Sequence, residues 1–334
     1  MRTSSRIAII VVLSLAALAA AAAVGAAWYR KPLSLPRSPY DFEVRSGASL
    51  ASVARALAAD GVVAHPAVLT LLARLRHVDR AIKAGSYEVE QGITLPKLLA
   101  KLTQGDVSQR AITIVEGTTY AQLRAALAGN PEVTHHLEGL SDADLLARIG
   151  ASEPAPEGLF FPDTYFFAVG SSDIAVLKRA YRALHARLDA AWARRAPNLP
   201  LTSPYEALIL ASLVEKETGR AEDRPLVASV FVNRLARGMR LQTDPAVIYG
   251  MGEHFDGNLR KRDLEADSPY NTYVRAGLPP TPIALPSQAS LDVVVNPPPT
   301  PYLYFVSRGD GSSEFSANLI EHNRAVSKYQ RGGR

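Results

Sequence analysis

Three segments of the chain repeat one pattern of apolar and polar positions. In each segment a β-branched residue lies three positions before a glycine, and Ser or Thr follows that glycine by two positions. Large apolar residues follow the glycines Gly47, Gly92 and Gly117 by three, six and ten positions. Since glycine permits a turn, a hydroxyl can cap a helix, and this spacing places the apolar residues on one helical face, each segment predicts a strand, a turn and an amphipathic helix. The apolar residues are Leu50, Val53 and Leu57, then Leu95, Leu98 and Leu102, then Tyr120, Leu123 and Leu127.

A further helical pattern lies between the first two segments, where apolar residues recur at helical spacing from Val68 to Leu75 after Pro66. Residues 86–90 alternate in the manner of a strand. The stretch 41–91 therefore predicts the order strand–helix–helix–strand within a module of residues 41–105. This βααβ arrangement resembles a LysM domain, the common peptidoglycan-binding module. A packing element without a ligand is the alternative, because so general a pattern is not specific.

The N-terminus contains an uninterrupted apolar stretch. Residues 7–29 carry no charge, and Ser14 is the only hydrogen-bonding side chain before Trp28. A helix of this length reaches about 34 Å, which is enough to cross a hydrocarbon core of about 30 Å. We therefore expect a single-pass anchor in the cell inner membrane, with residues 1–6 as a cytoplasmic tail and the bulk of the chain in the periplasm. A cleaved signal peptide is the alternative, although its apolar region is usually shorter.

The stretch 30–40 that follows the predicted anchor is rich in Pro and Ser, and we expect it to be an extended linker. The chain carries 37 basic and 32 acidic residues, but residues 1–40 hold five basic residues and no acidic one, which leaves 32 of each sign in the remainder. Because the folded part of the chain has no excess of basic residues, we exclude nucleic acid as a partner.

The absence of cysteine excludes disulfides, Cys-ligated metals and a thiol nucleophile. No metalloprotease, nucleophile-elbow or phosphate-binding motif is present, so we expect neither a metal nor a cofactor. Asp310-Gly311 lies between the stretches 302–306 and 314–316, and an Asp-Gly pair in this context predicts a hairpin turn.

The stretch 205–219 predicts a helix that begins at Ser203-Pro204 and ends at Gly219. At about 100° per residue, Glu217 falls inside the apolar arc of this helix, and Glu215 falls on the opposite face. An apolar environment raises the pKa of a carboxyl group, which is what a general acid at neutral pH requires. Glu217 is therefore a candidate general acid. A carboxylate at a frayed helix end, or one paired with an arginine, is the alternative.

A second helix is predicted over residues 226–237, ended by Gly238, and a short helix over 246–250 after a Thr/Asp-Pro start. The loops that follow, 268–273 and 277–283, are dense in Tyr, Asn, Thr and Pro. Such loops suit sugars, because aromatic faces stack on pyranose rings while polar side chains reach hydroxyl and amide groups. Ordinary connecting loops have a similar composition, so these loops alone decide nothing.

Eight segments, taken in order along the chain, resemble the endolytic murein transglycosylase family (MltG/YceG-like). They are residues 157–165, 213–218, 230–235, 239–245, 247–250, 270–273, 277–280 and 301–306. Helices and short strands alternate throughout, so we expect an α+β fold. The resemblance implies a mixed α/β catalytic domain over residues 106–334, with a glycan-cleaving core at about 200–334.

The resemblance also implies an activity. A member of this family cuts nascent glycan strands internally at the β-1,4 bond between N-acetylmuramic acid and N-acetylglucosamine, forms a 1,6-anhydro end and terminates elongation. It implies Glu217 as the catalytic carboxyl group, glycan strands as substrate and membrane-bound peptidoglycan synthases as partners. A hydrolytic muramidase with Asp244 or Glu222 as base, and a non-catalytic wall-binding scaffold, are the alternatives. From motif position and side-chain chemistry, the expected substrate-binding residues are Gln242, Thr243, Asp244, Tyr270, Asn271 and Tyr273.

Overall fold

A computed structural model describes residues 29, 31–44, 47–83, 85–105, 109–168 and 171–331. Helices and short strands alternate along the chain, which confirms the predicted α+β class. The predicted tail 1–6 and all of the predicted anchor except Tyr29 lie outside the described residues. Within the part that is described, no helix is long and apolar enough to cross a membrane.

The chain divides into two compact units. The first unit consists of Met1–Ala111 with Phe166–Val169, and the second of Ile112–Tyr165 with Gly170–Arg334. The predicted module 41–105 lies within the first unit.

The first unit has the predicted order strand–helix–helix–strand. Strand β1 (Tyr40–Val44) pairs antiparallel with β2 (Gly85–Val89), and Tyr40 lies opposite Val89. Helices α1 (Leu50–Ala59) and α2 (Pro66–Leu75) lie between the two strands in the sequence, and α3 (Leu95–Ala100) follows them, continued by a π-helical turn at Lys101–Gly105. The βααβ prediction is therefore confirmed as an arrangement of elements.

The repeated pattern builds the expected local structure except at one cap, because Thr94 before α3 makes no side-chain capping hydrogen bond. All nine of its apolar positions are buried, each with at most 7 % of its surface exposed. Ser49 caps α1 by accepting the backbone N–H of Ser52, and Thr119 caps the helix of the third segment (Tyr120–Ala128) by accepting the N–H of Gln122. The glycine of each segment has positive φ, the conformation that glycine adopts with least strain.

The predicted linker is packed against the first unit rather than extended freely. The backbone N–H of Leu33 donates to the Ile93 carbonyl at 2.8 Å, and the side chains of Leu33 and Leu35 contact the core of the βααβ module. Ser38 accepts the backbone N–H of Gln91 at 3.0 Å. These contacts leave little of the stretch 30–40 to serve as a spacer.

The second unit is mainly helical, with short strand pairs. Strand β4 (Val133–Thr134) pairs parallel with β6 (Ser171–Ser172), and β7 (Tyr304–Ser307) pairs antiparallel with β8 (Ser313–Ser316), which confirms the predicted hairpin. Strands β3 (Gln109–Thr113) and β5 (Thr164–Ala168) form a further pair, and the division between the units falls within both. The helices are α4 (Tyr120–Ala128), α5 (Asp142–Ile149), α6 (Asp173–Ala193), α7 (Pro204–Glu217), α8 (Arg224–Ala236), α9 (Asp244–Met251), a 3-10 turn (Gly252–His254), α10 (Lys261–Glu265), α11 (Gln288–Val295), α12 (Leu319–Val326) and a π-helical turn (Ser327–Arg331).

Helix α7 forms the centre of this unit. Every residue from position 207 to position 214 is buried, and α6, α8, α9 and α11 pack around the helix. A helix that is apolar on all sides is a core helix, so the single apolar arc expected from the sequence understates its burial. Ser203 caps its start, and it ends at Glu217, two residues before the predicted Gly219.

Gly158 provides a test of packing in this unit. It has φ of 81°, and a Cβ atom added there would lie 2.4 Å from Pro282 Cβ. We expect Gly158→Ala to lower the free energy of unfolding by about 2–4 kcal/mol, because backbone strain and overpacking add. Gly150→Ala is the matched control, since Gly150 has φ of 80° and open space around it. Equal losses in urea unfolding for the two variants would contradict the packing argument.

Candidate active site

A cleft of about 580 Å³ opens where the C-terminal end of α7 faces β7 and α12. Its volume lies in the range of small-molecule binding sites. Four of the seven site residues expected from the sequence line this cleft, namely Glu217, Gln242, Asp244 and Tyr273. The other wall is formed by residues that the sequence did not indicate: Arg234, Leu241, Tyr304, Phe305, Val306, Ser307, Ser313, Leu319, His322, Asn323, Val326 and Gln330.

Glu217 is the last residue of α7 and is partly buried in the cleft wall. Burial raises the pKa of its carboxyl group to about 7, while the nearby Thr243 hydroxyl lowers it, the Asp244 carboxylate raises it and the Arg234 guanidinium lowers it. A carboxyl group with a pKa near neutrality can donate a proton and then take one back. This is the chemical behaviour expected of a general acid that also serves as a base.

Asp244 lies at the start of α9 and is held by Tyr273. The Tyr273 hydroxyl donates to Asp244 Oδ1 at 2.6 Å. Burial, followed by the neighbouring Asp244 carboxylate, raises the pKa of Tyr273, so the phenol stays protonated and remains a donor. Arg240 Nη1 donates to the Tyr273 carbonyl at 3.1 Å and holds the loop in place. The cleft therefore contains a second carboxyl group in a fixed orientation.

Gln242 reaches the cleft from a strained backbone. Its φ of 54° lies in the left-handed region, which a residue with a side chain rarely adopts. The Gln242 N–H donates to the Thr272 carbonyl at 3.1 Å, and its Oε1 accepts from Arg234 Nη1 at 3.1 Å. Strain of this kind persists only where surrounding contacts impose it, and it is common at functional sites.

Arg234 is a cleft residue that the sequence analysis missed. It lies near the end of α8, it is 7 % exposed, and its Nε donates to the Leu303 carbonyl at 2.6 Å. The signal in the sequence was a charged residue directly after the mostly apolar stretch 226–233 of this helix.

Three expected substrate-binding residues do not line the cleft. Asn271 is 1 % exposed, and its side-chain amide is hydrogen-bonded to nearby backbone groups. Its Nδ2 donates to three backbone carbonyls, the shortest bond being 2.6 Å to Ala266, and its Oδ1 accepts the Tyr273 N–H at 2.9 Å. The structure therefore gives Asn271 the task of holding the loop that carries Tyr273.

Thr243 and Tyr270 also contact other residues of the protein. Thr243 is buried, and its N–H donates to Thr272 Oγ1 at 3.0 Å. The Tyr270 hydroxyl lies 2.8 Å from Thr281 Oγ1, and its ring packs edge-on against Tyr249 at 5.0 Å. Both residues support elements of the site, and their contact with a substrate stays a prediction.

Glu215 differs from Glu217 as the helical wheel predicts. Its Oε2 accepts the Ser287 N–H at 2.9 Å, the Ser287 hydroxyl at 2.6 Å and the Ser290 hydroxyl at 2.6 Å. These bonds connect α7 to the start of α11. One glutamate of the helix is thus satisfied by protein groups, whereas the other faces the cleft.

A second buried carboxyl group lies outside the cleft lining. Glu157 is 5 % exposed, and its carboxyl oxygens accept the Tyr120 N–H at 3.0 and 3.1 Å and the Tyr249 hydroxyl at 3.1 Å. Burial raises its pKa to about 7, although these hydrogen bonds oppose the rise. Glu157 therefore connects the start of α4 to α9 as a structural group. Across the described part of the chain, no cluster of three or more His, Asp or Glu side chains could hold a metal ion.

Comparison with known proteins identifies the family. The sequence model of the YceG-like family matches residues 42–328. The chain belongs to the YceG-like family.

Relatives and a solved structure agree with this membership. The endolytic murein transglycosylase of Bacillus subtilis is 31 % identical over 328 residues, which is 91 % of this chain and 90 % of that protein. Endolytic murein transglycosylases of two Streptococcus pneumoniae strains are 26 % identical over 320 residues, and the match spans 57 % of their length. A yceG-like protein of Listeria monocytogenes, solved at 2.6 Å, has a TM-score of 0.53 at 27 % identity, covering 85 % of this chain and 98 % of that one.

The raised pKa of Glu157 predicts how stability depends on pH. Because the folded state holds the proton more tightly than an ordinary glutamate with pKa 4.5, this stabilisation is present below pH 4.5 and is lost as pH rises through about 7. We expect Glu157 to lower the free energy of unfolding by up to ~3 kcal/mol as pH rises over this range. In Glu157→Gln the free energy of unfolding should therefore decrease less with pH than in the wild type. Tyr249→Phe, which removes a donor to the carboxylate, should make this decrease steeper. Chemical denaturation between pH 4.5 and 8 measures the slopes, and a Glu157→Gln slope equal to that of the wild type would refute the assignment.

Proposed function

We propose that this YceG-like chain is an endolytic lytic transglycosylase that cleaves the β-1,4 bond between N-acetylmuramic acid and N-acetylglucosamine within peptidoglycan strands. Family membership and the names of the relatives support the class of enzyme and the glycan substrate. The observation that carries the residue assignment is the carboxyl group of Glu217, which lies in a cleft of suitable size with its pKa raised to about 7.

One carboxyl group suffices for both proton transfers. Protonated Glu217 gives its proton to the glycosidic oxygen as the bond from this oxygen to C1 breaks. The resulting carboxylate takes the proton of the muramic C6 hydroxyl as that oxygen bonds to C1 and closes the 1,6-anhydro ring. The substrate supplies the nucleophile, so no water is consumed. The negative charge of Asp244 stabilises the oxocarbenium-like transition state between the two steps.

A hydrolytic muramidase is the rival reaction, and it needs a second carboxylate as base or nucleophile. Of the two candidates, Asp244 lines the cleft, whereas Glu222 is exposed beside Arg220 and is not among the lining residues. Mass spectrometry separates the reactions, because an anhydro end is lighter than a reducing end by one water. A non-catalytic scaffold would leave isolated strands uncut.

Two glutamates of α7 make a matched test of the assignment. We expect Glu217→Gln to fold normally and to release no anhydro-muropeptides from isolated glycan strands. Glu215→Gln should lower the melting temperature, because it weakens the bonds to Ser287 and Ser290, yet still release anhydro products. Anhydro products from Glu217→Gln at the wild-type rate would refute the role of Glu217.

The βααβ module is LysM-like in our proposal and binds the glycan strand. Supporting this, a groove of about 470 Å³ lies between the turn that precedes α1 and the end of α2. Ser49 and Thr70 line it with hydroxyl groups, and Arg74 and Arg80 with guanidinium groups. The two guanidinium groups can donate to the hydroxyl and acetamido oxygens of a sugar chain, and the hydroxyl oxygens of Ser49 and Thr70 can accept from its hydroxyl groups.

The predicted membrane anchor at residues 7–29 also belongs to this proposal, with the rest of the chain in the periplasm. Leu33 is already bound to the module, and the Arg76 guanidinium contacts the Tyr29 ring. Four residues of extended chain span at most about 14 Å, so the module would lie close to the bilayer. Membrane-bound synthases, which make the strands at this surface, are the partners that we propose.

The groove can be tested separately from the cleft. We expect the double change Arg74→Ala and Arg80→Ala to weaken strand binding by the uncleaving Glu217→Gln chain about thirtyfold, since each charged donor contributes roughly 1 kcal/mol. Arg55→Ala, an exposed change on α1 outside the groove, is the control and should bind as before. Unchanged affinity of the double variant in a pull-down titration would argue against a glycan-binding module.

A further inference from the structure

Arg234 is held more rigidly than substrate contact alone would require. Its Nη1 lies 2.9 Å from the Leu241 carbonyl, 3.1 Å from the Arg240 carbonyl and 3.1 Å from Gln242 Oε1. The guanidinium carbon lies 5.0 Å from the centre of the Tyr304 ring, a cation–π distance. Contacts from Leu303 and Tyr304 at the start of β7 and from the segment before α9 thus fix both the position and the plane of this charge.

The fixed guanidinium lies among the ionisable groups of the cleft. Burial lowers its own pKa, but an arginine remains charged at every pH of interest. Its charge favours the ionised form of Glu217 and, together with burial, lowers the pKa of His322. The ionisable groups that line the cleft with Glu217 are Arg234 on α8, Asp244 on α9, Tyr273 on the following loop, Tyr304 on β7 and His322 on α12.

We propose that Arg234 is a positioning residue of this cleft, which stabilises the carboxylate form of Glu217 with a fixed positive charge and clamps Gln242 towards the substrate. The inference rests on the proposed transglycosylase reaction. When Glu217 has given its proton to the leaving oxygen, a negative charge develops on it. A guanidinium that is already in place stabilises this charge without reorganisation, which is the most effective form of electrostatic stabilisation.

The backbone conformation of Gln242 is the reason to expect that the hydrogen bond from Arg234 holds this residue in place. Its left-handed conformation is unfavourable unless other contacts enforce it, and the side-chain bond from Arg234 is one of them. Loss of this bond should let Gln242 relax away from the cleft. A higher KM would report this effect, whereas the pH dependence of the rate reports the effect of the charge.

The pH–rate profile tests the role of the charge. A general acid must be protonated, so kcat/KM falls as pH rises through the pKa of Glu217. Without the positive charge this pKa should rise, and the alkaline limb of Arg234→Gln should move to higher pH by about half to one unit, a three- to tenfold change in the protonated fraction. Arg237→Gln, an exposed change at the end of the same helix, should keep the wild-type profile. An alkaline limb of Arg234→Gln at the wild-type pH would overturn the proposal, even with a lower rate.

Arg234→Lys keeps the charge but loses the planar set of donors. It should therefore raise KM and leave the alkaline limb of the pH–rate profile at the wild-type pH.

If Arg234→Gln does not fold, nitrogen NMR of the arginine side chains in the full chain tests the same charge interaction. The Arg234 signal, assigned with Arg234→Lys, should show a step with a midpoint near pH 7 in the wild type, and this step should be absent in Glu217→Gln, where only a shift caused by His322 can remain. An Arg234 chemical shift that does not change with pH in the wild type would overturn the inference. Because the NMR readout needs no substrate, its failure is distinct from a failure to cleave glycan, which would overturn the proposed function.

Discussion

The burial of α7 is the constraint on which the site depends. Its residues from position 207 to position 214 are enclosed by four other helices, so the end of the helix cannot move independently. Glu215 fixes the rotation of the helix by accepting three hydrogen bonds at the start of α11. Glu217, two residues later, is therefore held at the cleft by the packing of its helix, with the Thr243 hydroxyl beside its carboxyl group.

Opposing charges then set the chemistry of that carboxyl group. Burial and Asp244 favour its protonated form, whereas Arg234 and Thr243 favour the carboxylate. Burial is the largest influence and outweighs those that lower the pKa, which is raised from 4.5 to about 7, where both forms are populated at neutral pH. An enzyme that uses one group as acid and then as base needs this balance, because a strongly biased carboxyl group would perform only one of the two steps.

Residues outside the cleft provide the rigidity that this balance requires. Asn271 closes the loop that carries Tyr273, and Glu157 joins α4 to the helix that begins with Asp244. Their polar groups are buried and paired, so each is costly to displace. The match to the YceG-like family spans residues 42–328, which include Glu217, Asp244 and these supporting residues.

The sequence by itself determined the elements with a local cause: the βααβ order, the helices with buried apolar positions, the hairpin at Asp310-Gly311, and the different directions of the Glu215 and Glu217 side chains on one helix. Periodicity, capping and turn preferences act over a few residues, so they can be read along the chain. Only the tertiary structure decided the roles of Arg234 and Asn271. Arg234 contacts the Leu303 carbonyl 69 positions away. Asn271 donates to carbonyls of α10 and of Ala266 just after it. Such contacts depend on how separate elements pack, and no local pattern of residue types encodes that packing.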